Sequence, residues 1–162
     1  MALNIKIDFN DCYPLRTLND NLHLSSFNTV LKNGDTVPIG IHISEEMHPL
    51  IPNAYNLSFG PVDHQNQIDD DAKLYHLNHS KLFSTIVFSA LTFLENKKDI
   101  FLGIDGSNNA RAYMYYRCIQ NNFDYLNHFM NIYGVNYYVR VLRKTDDESN
   151  GKLYNYFIFN AK

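Results

Sequence analysis

Several things are scarce in this 162-residue chain, and each scarcity excludes something. There are only two cysteines, Cys12 near the N-terminus and Cys118 inside an expected helix. That count excludes a disulfide framework. No apolar stretch reaches the roughly 18 residues that a membrane-spanning helix requires. Met1 to Phe9 carries Lys6 and Asp8 and has no long apolar run, so no signal peptide is expected. A reducing cytoplasm is the expected compartment. Positive charge is not in excess either: the formal net charge is −3 and the isoelectric point near 6.1. The basic residues Arg140, Arg143, Lys144, Lys97 and Lys98 are scattered rather than gathered into a stripe, so DNA is not an expected partner.

Large apolar residues, by contrast, are abundant. The hydrophobic fraction is 45 % against 19 % charged, which suits a folded globular protein and not a disordered one. The length favours one domain spanning residues 1–162. A domain of that size buries roughly 70 % of its unfolded surface and needs no metal to hold its core. The aromatic fraction is 14 %, made of 12 Tyr and 11 Phe with no Trp. Such residues build cores, and they also favour interfaces.

The first half reads as β structure. Leu22–Leu31 and Val37–Ile43 flank Asn33-Gly34, a strong hairpin signal. Pro38 belongs at a strand start or edge. Ala54–Gly60 is a third strand, with Tyr55, Leu57 and Phe59 on one face. Residues 61–72 read as an exposed loop, and Lys73–Leu77 as a possible short strand.

Ser80 is the expected start and cap of a helix. Phe83, Ile86, Val87, Ala90, Leu91 and Leu94 form its apolar face, which Phe88 and Phe93 widen. The helix is expected to end near Asn96-Lys97-Lys98. A short strand, Ile100–Asp105, leads to the turn Gly106-Ser107-Asn108-Asn109. Helices are expected over 110–122 and 124–133, the latter capped by Gly134. Tyr137–Leu142 and Leu153–Phe159 read as a terminal hairpin. The fold class is therefore α+β: an antiparallel or mixed sheet of about six strands with two or three helices on one face.

Chemistry concentrates at the strand–turn–helix junction. A helix N-terminus offers free N–H groups to an anion. Gly106, Ser107 and Asn108 form the turn, Ser107 adds a hydroxyl, and Arg111 adds a guanidinium that can grip a phosphate or carboxylate in two places. Tyr115 follows Arg111 by one helical turn and Ile119 by two, so the three share a face. These residues are the candidate site for a small anionic ligand. Helix capping and an ordinary ion pair explain the same residues. His76 and His79, with His64 and the acidic run Asp69–Asp71, lack the spacing of known metal motifs and read as solvated loop residues. No metal or other cofactor is expected, no catalytic residue is assigned, and Ser107 has no G-x-S-x-G context.

Tyr55-Asn56-Leu57-Ser58-Phe59-Gly60, the acidic loop, the helix Leu82–Leu94, and Gly106-Ser107 with Arg111, Tyr115 and Ile119 together resemble a small uncharacterised bacterial family. A looser similarity runs to small phage-encoded proteins. The resemblance covers about Ala54 to Gly134. It implies a small bacterial cytoplasmic protein and brings no catalytic residues.

Three functions are expected candidates. The first is a non-catalytic protein-interaction module, of the kind found in a toxin–antitoxin or phage-defence system, binding another protein or forming a homodimer. The second is a small enzyme or nucleotide-binding protein with its pocket at Gly106–Arg111. The third is an RNA-cleaving toxin.

Overall fold

A computed structural model describes residues 4–19, 23–46, 51–69, 72–95, 97, 99–105, 109–135 and 156–161. Among the described residues, seven strands form one sheet in the order β1-β2-β3-β4-β5-β7-β6. The strands are β1 (Arg16–Thr17), β2 (Leu24–Val30), β3 (Thr36–Glu46), β4 (Ala54–Pro61), β5 (Phe101–Asp105), β6 (Met130–Val135) and β7 (Tyr156–Ala161). All neighbours are antiparallel except β4 and β5, which are parallel and joined through helix α1 (His79–Leu94). A parallel pair needs such a crossover, because a tight turn cannot reverse the chain twice. Helices α2 (Asn109–Asn121) and α3 (Phe123–Asn127) follow β5. The fold is α+β with a mixed sheet, as the sequence led us to expect.

The β2–β3 hairpin forms where the Asn-Gly signal put it. Gly34 adopts φ +91°, a conformation that side chains disfavour. The Asn33 carboxamide accepts from the Asp35 amide and donates to its carboxylate, both at 2.9 Å. Pro38 is the third residue of β3.

Strand alternation sorts the two faces of the sheet. Phe27 pairs with Ile39, Ile41 with Phe59, Ile43 with Leu57, and Leu102 with Phe159. These side chains meet Leu82, Phe83, Ile86, Ala90, Phe93 and Leu94 of α1 in the core. The other face carries Ser26, Asn28, His42, Ser44, Asn56 and Ser58 at the alternate positions. Each fully buried large side chain contributes on the order of 1.5–3 kcal/mol.

Several boundaries differ from the sequence expectation. The cap of α1 is Asn78, whose side chain accepts from the Lys81 amide at 2.9 Å. Ser80 lies inside the helix, and its hydroxyl accepts from the Lys6 amide instead. The helix ends at Leu94, and Lys97 then donates to the Phe93 carbonyl at 2.7 Å, as the helix dipole favours. Phe93 is fully buried, whereas Phe88 is 39 % exposed and stands outside the core. In place of a short strand at Lys73–Leu77, only His76 makes a single bridge, to Leu31. In the loop after β4, Asp63 accepts the amides of Gln65 and Gln67.

The largest correction concerns the third helix. It stops at Asn127, and residues 130–135 form β6 against β7. Gly134 is therefore a strand residue, not a helix cap. Leu126, Phe129, Met130 and Tyr133 have helical spacing, yet only Leu126 and Met130 are buried. Pairing with β7 satisfies the backbone there, and a strand repeat of two buries Met130 and packs Ile132 on the core while Tyr133 faces out. β6 and β7 pair antiparallel. The segment Tyr137–Leu142 and the loop Arg143–Lys152 lie outside the described residues.

An extended N-terminal segment completes the helical layer. It runs between α1 on one side and the α2–α3 junction on the other. The amides of Lys6 and Asp8 donate to the hydroxyls of Ser80 and Ser84, both at 2.9 Å. Those of Ile7 and Phe9 donate to Asn122 at 2.8 Å and the Tyr125 hydroxyl at 3.0 Å. Successive amides of an extended chain point in opposite directions, so the two helical walls take them alternately. Ile5 and Ile7 are buried beneath the segment.

Candidate functional site

The strand and the helix that flank the candidate junction are present: β5 ends at Asp105 and α2 begins at Asn109. Gly106, Ser107 and Asn108 lie outside the described residues, as does the side chain of Arg111. Tyr115 is described and buried, with its ring 6.2 Å from that of Phe83 and 6.5 Å from that of Phe59. Cys118 is buried and Ile119 packs against the same core. This face of α2 therefore turns towards the sheet from Tyr115 onwards. Tyr113 takes the outer side at 49 % exposure. Beside it, Arg117 donates to the Tyr113 hydroxyl at 3.4 Å and lies 5.9 Å from its ring. The Nε atom of Arg117 is buried and has no hydrogen-bond partner among the described residues.

The two histidines of the second candidate do meet. The rings of His76 and His79 are 5.5 Å apart and nearly perpendicular. His76 Nδ1 lies 3.1 Å from the hydroxyl of the fully buried Thr29. Burial, with the neighbouring His79 second, pulls the His76 pKa down to about 4. Burial and then Lys32 lower that of His79. The His76 ring is thus neutral at pH 7. Among the described residues no group of three or more His, Cys, Asp or Glu is placed to hold a metal ion.

One surface feature escaped the sequence reading. Phe9 of the N-terminal segment, Phe88 of α1, Tyr125 of α3 and Phe129 just beyond α3 form one aromatic cluster. The Phe9 ring lies 5.0 Å from Phe129, 5.4 Å from Tyr125 and 5.8 Å from Phe88. Tyr125 and Phe129 are 5.4 Å apart. Such edge-on and tilted pairs are the favoured aromatic geometries. Phe88 and Phe129 remain 39 % and 40 % exposed. Helical spacing gave only one signal for this cluster: Phe88 lies off the centre of the α1 stripe. Phe9 joins it through a contact 120 residues away in sequence, which no local pattern announces.

No described helix is long and apolar enough to cross a membrane. Both cysteines are free. Comparison with known proteins places the chain in a family: residues 10–162 match the model of the Family of unknown function (DUF6934), and the chain belongs to it. The family match thus extends well beyond the Ala54–Gly134 stretch that carried the resemblance. No curated protein and no solved structure matches the chain.

Proposed function

We propose that this member of a family of unknown function is a non-catalytic protein-interaction module, one α+β domain acting in the bacterial cytoplasm. The observation that carries this role is the aromatic cluster of Phe9, Phe88, Tyr125 and Phe129, in which Phe88 and Phe129 are exposed on top of the half-buried Phe9 and Tyr125. Aromatic side chains are enriched at the centres of protein interfaces and supply most of their binding energy. Here they sit on three separate chain elements, fixed by core residues beneath, so the surface is pre-shaped for a partner. The partner is a protein, in the setting of a toxin–antitoxin or phage-defence pair that the family resemblance suggests, or a second copy of the chain. The test is a double substitution, Phe88→Ser with Phe129→Ser. It is expected to abolish the complex recovered with the tagged protein from its native cells, and any self-association seen by light scattering, while leaving the fold intact. Equal recovery of the same complex by the variant would overturn the role.

A second reading keeps the junction between β5 and α2 as a site for a small anion, a nucleotide among them. It is supported by the strand ending at Asp105 and the helix opening at Asn109, with Arg111 in its first turn. Thermal shifts with nucleotides and inorganic phosphate test it. A shift that disappears in Arg111→Ala supports it, and the absence of any shift removes it.

A further inference from the structure

Between the sheet and the helices lies a cavity of about 50 Å³. Its origin is visible in the sequence. Three of the residues around it are small: Ala90 on α1, Gly103 on β5 and Cys118 on α2. Three others are large rings, Phe83, Tyr115 and Phe159, all buried. Rigid rings fixed in a packed interior cannot swing in to fill what the small residues leave, since a core relaxes only partly around a void. The walls are hydrocarbon almost throughout. A buried water needs two to four polar partners, and an apolar cavity stays dry and takes apolar guests. The Cys118 thiol does not alter this. Burial pushes its pKa up to about 12, so it stays protonated and uncharged.

We propose that this cavity is a binding site for a small uncharged hydrocarbon group, the end of a short acyl chain of about four carbons. A volume of about 50 Å³, at roughly 10–15 Å³ per water-sized sphere, admits about four methylene-sized groups. Val87, Ile104 and Ile119 line the cavity and are only half-buried. The site is independent of the aromatic surface: Phe9, Phe88 and Phe129 take no part in its walls.

The test uses the full chain with two probes, butyrate and the larger benzene, followed through the methyl resonances of Leu57, Ile86, Leu102 and Leu126 and through the thermal midpoint. Saturable changes confined to these methyls, with a midpoint that rises with probe concentration, are the expected result. A response to butyrate that exceeds the response to benzene is expected, and a response to benzene alone overturns the acyl-chain assignment. Ala90→Leu fills the space and is expected to weaken binding at least tenfold. Should that variant not fold, the smaller Ala90→Val and Cys118→Val serve the same purpose. Methyl resonances unmoved by both probes overturn the proposal, and so does undiminished binding in the filled variants.

Discussion

The side chain of Asn122 holds the backbone of Ile7. Its Oδ1 accepts from the Ile7 amide at 2.8 Å, and its Nδ2 donates to the Ile5 carbonyl at 2.8 Å and to the Cys118 carbonyl at 2.7 Å. All of these groups are buried, and 115 residues separate the two partners. Asn122→Ala leaves the Ile7 amide and the Ile5 carbonyl unsatisfied, each at about 1–3 kcal/mol. A loss of about 2–4 kcal/mol in urea denaturation is therefore expected. A loss below about 1 kcal/mol would mean that the segment is not held in this way.

Phe129 separates stability from binding. With its side chain 40 % exposed, Phe129→Ala is expected to cost less than about 1.5 kcal/mol. Its effect on complex formation is expected to be much larger, at least tenfold, because interface aromatics dominate affinity. Denaturation and quantitative co-purification on the same samples check the contrast. Parallel losses in both would show Phe129 to be a packing residue only.

His76 ties stability to pH. Its pKa falls from 6.5 in the unfolded chain to about 4 in the fold. The unfolded state therefore binds the extra proton between those values. Stability is fully present above about pH 6.5 and declines as pH falls towards about 4. His79, shifted the same way, adds to the decline. Denaturation midpoints across this range, compared with His76→Gln, measure the effect. A pH profile identical in the variant would contradict the burial argument. A direct titration of the His76 ring by NMR gives the value itself.

The cysteines should differ in reactivity. Cys118 is buried and its thiol resists ionisation, while Cys12 is half-buried and raised mainly by burial. Alkylation of the native protein is expected to modify Cys12 slowly and Cys118 only after unfolding, since the thiolate is the reactive species. Mass spectrometry of time points decides this. Rapid native labelling of Cys118 would show that the helical layer opens.

How much of this was visible in the residues depends on the range of the interaction. The Asn33-Gly34 turn and the stripe Phe83–Ile86–Ala90 are local patterns, and each forms where its spacing says. The strand β5 and the helix α2 were likewise readable on either side of Gly106–Asn108. Tyr115 was not: i, i+4 spacing placed it beside Arg111, but only packing against Phe59 and Phe83 decided that it faces the core. Residues 130–135 carry helical spacing and strand alternation at once, and the presence of β7 resolved the ambiguity.

The sequence by itself therefore determined the α+β class, the hairpin, the amphipathic α1 and the family. Only the tertiary structure decided the path of the N-terminal segment, the identity of β6, the cavity and the exposed rings. The physical reason is the same in each case. A periodic stripe or a turn acts over a few residues, whereas Lys6 meeting Ser80, Ile7 meeting Asn122 and Phe9 meeting Phe129 depend on where distant elements dock.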